Sequence, residues 1–174
     1  KLDDGTFIVT TNKGTKHHAK IIAIAGGLGS FEPRKPVLEN LQSYEDNGVN
    51  YIIKDPQKFK NKSVVIAGGG DSALDWSIFL AGINADVTLV HRRNEFRGAL
   101  DSVEKVRDLR NQNKINLITP AEITKLKGKE KLESLIIRKD EQSTEHNTDH
   151  FIPLFGLSPR LGPIANWGLE VEKN

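Results

Sequence analysis

The sequence predicts an α/β fold, a parallel β-sheet with flanking helices that is extended by an antiparallel β-meander. Three observations predict it. Val64-Val65-Ile66-Ala67 is short, wholly apolar and mostly β-branched, as in a parallel strand buried on both faces. Asp71 to Gly82 then carries Ala73, Leu74, Ser77, Ile78 and Ala81 as a helical stripe, and Ala85 to Val90 reads as a second strand, which completes a βαβ unit. Two more strand-like runs, Ala121 to Leu126 and Leu132 to Arg138, flank the turn Lys127-Gly128-Lys129 and form the antiparallel extension.

The other elements follow along the chain. Thr6 to Thr11 alternates and stops at Asn12-Lys13-Gly14, and Thr15 to Ala25 is a second strand-like run, so the pair reads as a hairpin. Gly26-Gly27-Leu28-Gly29-Ser30 with Pro33 and Pro36 reads as a loop or an interdomain crossing. Leu38 to Tyr51 is mixed and polar, and Lys58 to Lys62 is a charged lead-in to the first buried strand. A polar helix from about Ser102 to Asn113 precedes a third strand from Ile115 to Thr119. Phe151 to Phe155 is a last strand, ending in the glycine loop Gly156-Leu157-Ser158-Pro159.

Composition narrows the function. The 174 residues suffice for one full hydrophobic core or one domain plus parts of a neighbour, and 37% hydrophobic with 28% charged residues suits a folded globular protein. Apolar stretches such as Ile21 to Ala25 are far below the roughly 20 residues of a membrane-spanning helix, so a soluble, cytoplasmic protein with no membrane partner is expected. A net charge of +2 is too small to steer the whole molecule onto nucleic acid. The absence of cysteine excludes a disulfide framework, a thiolate metal site and a dithiol redox centre within these residues. With neither an initiator Met nor a signal-peptide pattern at Lys1, the chain reads as a piece from the middle of a longer one.

The sharpest motif is Gly68-Gly69-Gly70-Asp71-Ser72-Ala73, which fits G-x-G-x-x-[GA] between the predicted strand and helix of a Rossmann-like unit. Gly68 makes the tight turn, Gly70 lets the backbone approach a pyrophosphate, and Ala73 lets the helix pack close to the sheet. The helix N-terminus then faces the phosphates, where Ser72 can add a hydroxyl donor. The alternative is a glycine-rich turn with Asp71 capping the helix. About 20 residues on, where NAD-specific domains place an acid on the ribose, the chain reads His91-Arg92-Arg93-Asn94-Glu95-Phe96-Arg97. Three guanidiniums can surround a 2′-phosphate with planar donors, which points to NADP(H), and His91 is expected to cap or pack against the adenosine side. The competing reading is a solvated basic turn paired with Glu95 or Asp101.

Gly68 to Trp76 with Val90 to Arg97 resembles the NADPH domain of the thioredoxin-reductase-like flavoproteins, specifically their ferredoxin (flavodoxin)–NADP⁺ reductase branch. Phe31-Glu32-Pro33-Arg34 and Asn50-Tyr51 fit that branch, and Ala23 to Gly27 is similar to the crossing from the FAD domain, with Gly in place of the usual Thr. Phe155 to Pro159, followed by Leu161 to Ile164, looks like the return crossing, which implies that Gly156 lies near the nicotinamide. The resemblance implies a fold of the two-dinucleotide-binding flavoprotein type. It divides the chain into a crossing segment at 1–33, an NADP(H)-binding domain at 34–155 and a return crossing at 156–174.

By the same resemblance FAD accepts hydride from NADPH and hands electrons to ferredoxin or flavodoxin, and the full-length protein is a homodimer. The family's FAD-binding glycine loop and Gly-Asp motif are absent from these residues, so the chain alone is expected to be inactive. Thioredoxin reductases carry C-x-x-C where this chain has a cysteine-free stretch from Tyr51 to Phe59.

Most other readings fit the residues less well. A short-chain dehydrogenase needs Tyr-x-x-x-Lys, but Tyr44 is followed by Gly48 and Tyr51 by Asp55. An NADP(H)-sensing or regulatory module would use the same binding residues. His146 and His150 could join in a metal site, but Asn147-Thr148-Asp149 between them favours a solvated loop. Lys58, Lys60 and Lys62 could steer an acidic ferredoxin, with a solvated lead-in as the default. Trp76, Phe79 and Leu80 read as core or domain contact rather than a stacking platform.

Overall fold

The computed structural model describes residues 1–25, 31–159, 162–168 and 170. The glycine-rich segment 26–30 and residue 161 of the return crossing lie outside them. Contacts divide the chain into two compact units, residues 1–32 with 159–174 and residues 33–158.

In the first unit, β1 (Phe7–Thr10) pairs antiparallel with β2 (Lys16–Ala19), Phe7 opposite Ala19. The turn closes through Thr11 N–H to the Thr15 carbonyl at 2.9 Å, with Gly14 at a φ of 79°. The second strand is shorter than expected, because its partner offers four residues and the stretch beyond Ala19 forms no ladder. Short strands β3 (Phe31–Pro33) and β11 (Leu157–Pro159) lie where the chain passes between the units.

The second unit is built on a parallel sheet in the order β10-β4-β5-β6, comprising β4 (Ser63–Gly68), β5 (Asp86–Val90), β6 (Ile115–Ile118) and β10 (His150–Leu154). Successive side chains of a strand point to opposite faces, and the core divides accordingly. Val64 and Ile66 pack with Ala73, Leu74 and Leu80 of α2 (Asp71–Gly82) and Val103 and Val106 of α3 (Leu100–Asn111). Val65 and Ala67 pack instead with Leu126, Leu135, Ile137 and Phe151. Those partners lie largely on an antiparallel meander, β7 (Glu122–Lys127), β8 (Ser134–Lys139) and β9 (Gln142–Asn147). The sheet is therefore covered by helices on one face and the meander on the other.

Three local findings differ from expectation. Strand β9 has no apolar residue to reveal it and is held through its ladder to β8. The polar stretch before Tyr51 contains a short helix, α1 (Leu41–Tyr44), and it buries Val49, which bridges to Phe151. The lysine-rich lead-in begins with a 3₁₀ turn, Pro56–Phe59, capped by the Asp55 carboxylate on Gln57 N–H at 3.1 Å and burying Phe59.

Candidate nucleotide-binding site

From β4 the chain winds outward through β5 to β6, then returns by the meander to place β10 on the other side of β4. The order reverses between β10 and β4, and in open α/β sheets ligands bind at the carboxyl ends of the strands at such a point. Leu154 and Gly68 are register partners at that edge.

The glycines of the loop have separate reasons for being glycine. A Cβ on Gly68 would stand 2.7 Å from the Leu154 carbonyl oxygen and 2.8 Å from Ala73 Cβ, so Gly68 and the fully buried Ala73 together let β4, β10 and α2 close up. A Cβ on Gly69 would fall onto the imidazole of His91. A Cβ on Gly70 would meet no atom within 4 Å, and its backbone, at φ −103° and ψ −179°, is open to any residue. Among the described residues nothing requires glycine there.

Helix α2 opens with Gly70 as N-cap and has no side-chain cap bond. Asp71 therefore does not cap its own helix. Its Oδ1 accepts the N–H of Ala99 at 2.7 Å instead. The N–H groups of Asp71 and Ser72 have no acceptor among the described residues, and both residues are exposed. That end of the helix can donate to an anion.

Beyond β5, residues 91–99 form a loop over the start of α2, and Arg97 N–H donates to the Gly69 carbonyl at 2.7 Å. Arg92, Arg93 and Arg97 are exposed and take part in no ion pair among the described residues. Asp101 is paired with Lys105 at 2.6 Å, and the Glu95 carbonyl is bonded to His91 Nε2 at 3.2 Å. Neither the Glu95 nor the Asp101 carboxylate pairs with these arginines among the described residues.

His91 turns inward. It is 8% exposed and stacks on Phe96 with centroids 5.2 Å apart and planes inclined at 20°. Burial, with the charges of Arg92, Arg93 and Arg97, lowers its pKa from the ordinary imidazole value, against the hydrogen bond to the Glu95 carbonyl, which raises it. The Glu95 carbonyl then requires the tautomer protonated at Nε2. Gly156 lies two residues past Leu154 at a φ of +91°, where glycine is favoured, and its carbonyl accepts Arg34 N–H at 3.0 Å.

Three contributors escaped sequence reading: the Asp71 clasp, Phe96, and Gly98, where a Cβ would stand 2.5 Å from Leu74 Cδ1. Gly98, directly after the arginines, was a visible signal.

Other candidates are accounted for elsewhere. His146 lies in β9 and His150 in β10, correcting the expected loop, and no acid, histidine or cysteine group among the described residues could hold a metal. His150 packs on Phe59 at 4.8 Å, and its pKa is lowered chiefly by burial. Lys58, Lys60 and Lys62 are exposed just before β4, at its far end from Gly68. Leu80 is core, while Trp76 meets the half-exposed Phe79 edge-on at 5.7 Å. No helix among the described residues is long and apolar enough to cross a membrane.

A glycine loop that opens a helix at the strand-order reversal of a parallel sheet, faced by a cationic loop, defines a Rossmann-type dinucleotide-binding domain. The chain belongs to the pyridine nucleotide-disulphide oxidoreductase family, whose model matches residues 1–174. It is 67% identical over its whole length to the ferredoxin–NADP reductase of Flavobacterium psychrophilum, covering 50% of that protein. It is 44% identical over 97% of its length to that of Rickettsia rickettsii, again covering 50%. The chain thus spans about half the length of these relatives. Among solved structures it resembles the thioredoxin reductase of T. acidophilum, with a TM-score of 0.83 at 22% identity over 99% of this chain and 56% of that one. That of Lactococcus lactis gives 0.79 at 25% identity over 97% and 55%.

Proposed function

We propose that residues 34–155 are the NADP(H)-binding domain of a flavin-dependent ferredoxin (flavodoxin)–NADP⁺ reductase, with 1–33 and 156–174 as its crossings to an FAD domain. The observation that carries this reading is the set of three exposed arginines where an acid would select NAD, unpaired among the described residues, beside a Gly70 that no described residue constrains. Relatives 62–67% identical to the chain bear the name ferredoxin–NADP reductase.

In this reading the free N–H groups of Asp71 and Ser72, with the Ser72 hydroxyl, hold the pyrophosphate over Gly70. Arg92, Arg93 and Arg97 hold the 2′-phosphate. Gly156, across the crevice on the β10 side, keeps the backbone clear for the nicotinamide half. The chain's part is therefore to bind and orient NADP(H). Flavin, when bound, supplies the conversion of a two-electron hydride into single electrons. Since the chain has no cysteine, no dithiol relay runs through these residues. Ferredoxin or flavodoxin is the electron partner, and the full-length protein works as a homodimer in the cytoplasm.

The test is an absorption spectrum of the full-length protein. Flavin bands that bleach with NADPH and recover with oxidised ferredoxin support the reading. A colourless protein that binds NADPH would instead support the NADP(H)-sensing module.

A further inference from the structure

A carboxylate at the first position of a phosphate-binding helix is electrostatically unhelpful, since it stands among the groups that must attract an anion. Asp71 occupies that position. Its Oδ1 turns away from the helix axis to accept Ala99 N–H at 2.7 Å. Two further contacts join the same segments. Arg97 N–H donates to the Gly69 carbonyl at 2.7 Å, and Gly98 lies so close that a Cβ there would be 3.1 Å from Asp71 Oδ1. One turn further along both helices, Ser102 Oγ donates to Asp75 Oδ1 at 2.9 Å. The segment that follows the arginines is therefore fastened to the glycine loop and the first turns of α2 at Arg97, Ala99 and Ser102.

We propose that Asp71 is a positioning residue for nucleotide specificity, clasping the 97–99 segment so that the arginines stand at a fixed distance from the pyrophosphate site. This rests on the NADP(H) reading above. The physical reason is entropic: guanidiniums on a loose, exposed loop must be ordered when the ligand arrives, whereas a loop already hydrogen-bonded to the phosphate cradle loses little freedom. The contribution falls on the 2′-phosphate alone, because NAD does not engage the arginines. Asp71 thus acts through Arg97 and its neighbours without touching the group it helps to select.

The experiment is calorimetric titration of the full-length protein with NADP⁺, NAD⁺ and adenosine 2′,5′-bisphosphate, a probe that lacks the pyrophosphate and the nicotinamide. Asp71→Ala should weaken NADP⁺ and the bisphosphate by about tenfold, with NAD⁺ changed less than about threefold. Asp71→Asn keeps an Oδ1 acceptor and removes the charge, so it should restore the preference for NADP⁺ over NAD⁺ that Asp71→Ala loses, with no ligand bound more than about threefold more weakly than by the parent. In the background of Arg97→Ala, Asp71→Ala should cost less than in the parent, since the part of its effect that runs through the Arg97 guanidinium is already gone. Equal losses for NADP⁺ and NAD⁺, a tighter NADP⁺ complex, or full additivity with Arg97→Ala would overturn the proposal while leaving the NADP(H) reading intact. A parent protein that binds NADP⁺ and NAD⁺ equally would overturn both.

Discussion

Adding one methyl group at Gly68 or at Gly70 should separate stability from binding. At Gly68 the new Cβ stands 2.7 Å from a backbone oxygen of β10 and 2.8 Å from the Cβ of Ala73. Neither atom can rotate away, so β10 or α2 must shift by several tenths of an ångström. Overpacking of this kind costs about 1–3 kcal/mol. In a protein of this size each kcal/mol lowers Tm by roughly 2–4 °C, so Gly68→Ala should melt roughly 2–12 °C below the parent. At Gly70 the Cβ meets nothing within 4 Å and the backbone is unstrained. Gly70→Ala should therefore stay within about 0.5 kcal/mol of the parent. Its effect should appear in binding, because the methyl stands where a pyrophosphate must approach; loss of one charge-assisted bond of about 1.5–3 kcal/mol weakens both nucleotides roughly tenfold to a hundredfold. Gly70→Val should abolish binding of both with the fold kept. Thermal melts followed by circular dichroism and titration calorimetry with NADP⁺ and NAD⁺ read the two effects separately. Normal nucleotide binding by Gly70→Val would refute the phosphate-cradle reasoning, and an unchanged melt for Gly68→Ala would refute the packing argument.

The arginines yield a second prediction: because they are exposed, each bond to a 2′-phosphate is taken at about 1–1.5 kcal/mol, so Arg92→Ala or Arg93→Ala should weaken NADP⁺ about five- to tenfold by calorimetry and spare NAD⁺. A third follows from His91 and His150, both held below the ordinary value near 6.5 chiefly by burial. The unfolded chain takes up protons that the folded chain refuses, so their stabilisation is complete above about pH 6.5 and is lost as pH falls toward the folded values. The Tm should drop as pH falls below about 6.5, and less steeply in His91→Gln. Fourth, Phe151 is wholly buried between β4 and the meander, and Phe151→Ala should cost about 3–5 kcal/mol in urea unfolding.

Much of the fold was readable from local pattern. Val64 to Ala67 declared a buried parallel strand because both its faces are apolar, and the stripe from Ala73 to Ala81 declared the helix that follows. Strand β9 was not readable, since Gln142 to Asn147 has no apolar side chain and is placed by its partner. Helix α1 and the buried Val49 were hidden because their partners, Gly128 and Phe151, are far away in the chain.

The sequence by itself determined the glycine loop, its place between strand and helix, and the three arginines without an acid, because such a motif depends on spacing along the chain. The tertiary structure alone decided what each residue of the motif does. Gly68 answers to Leu154, Gly69 to His91, Asp71 to Ala99, and Gly70 to no atom of the described residues. Those assignments depend on distances of a few ångströms between segments remote in sequence, which close packing sets and linear spacing does not encode.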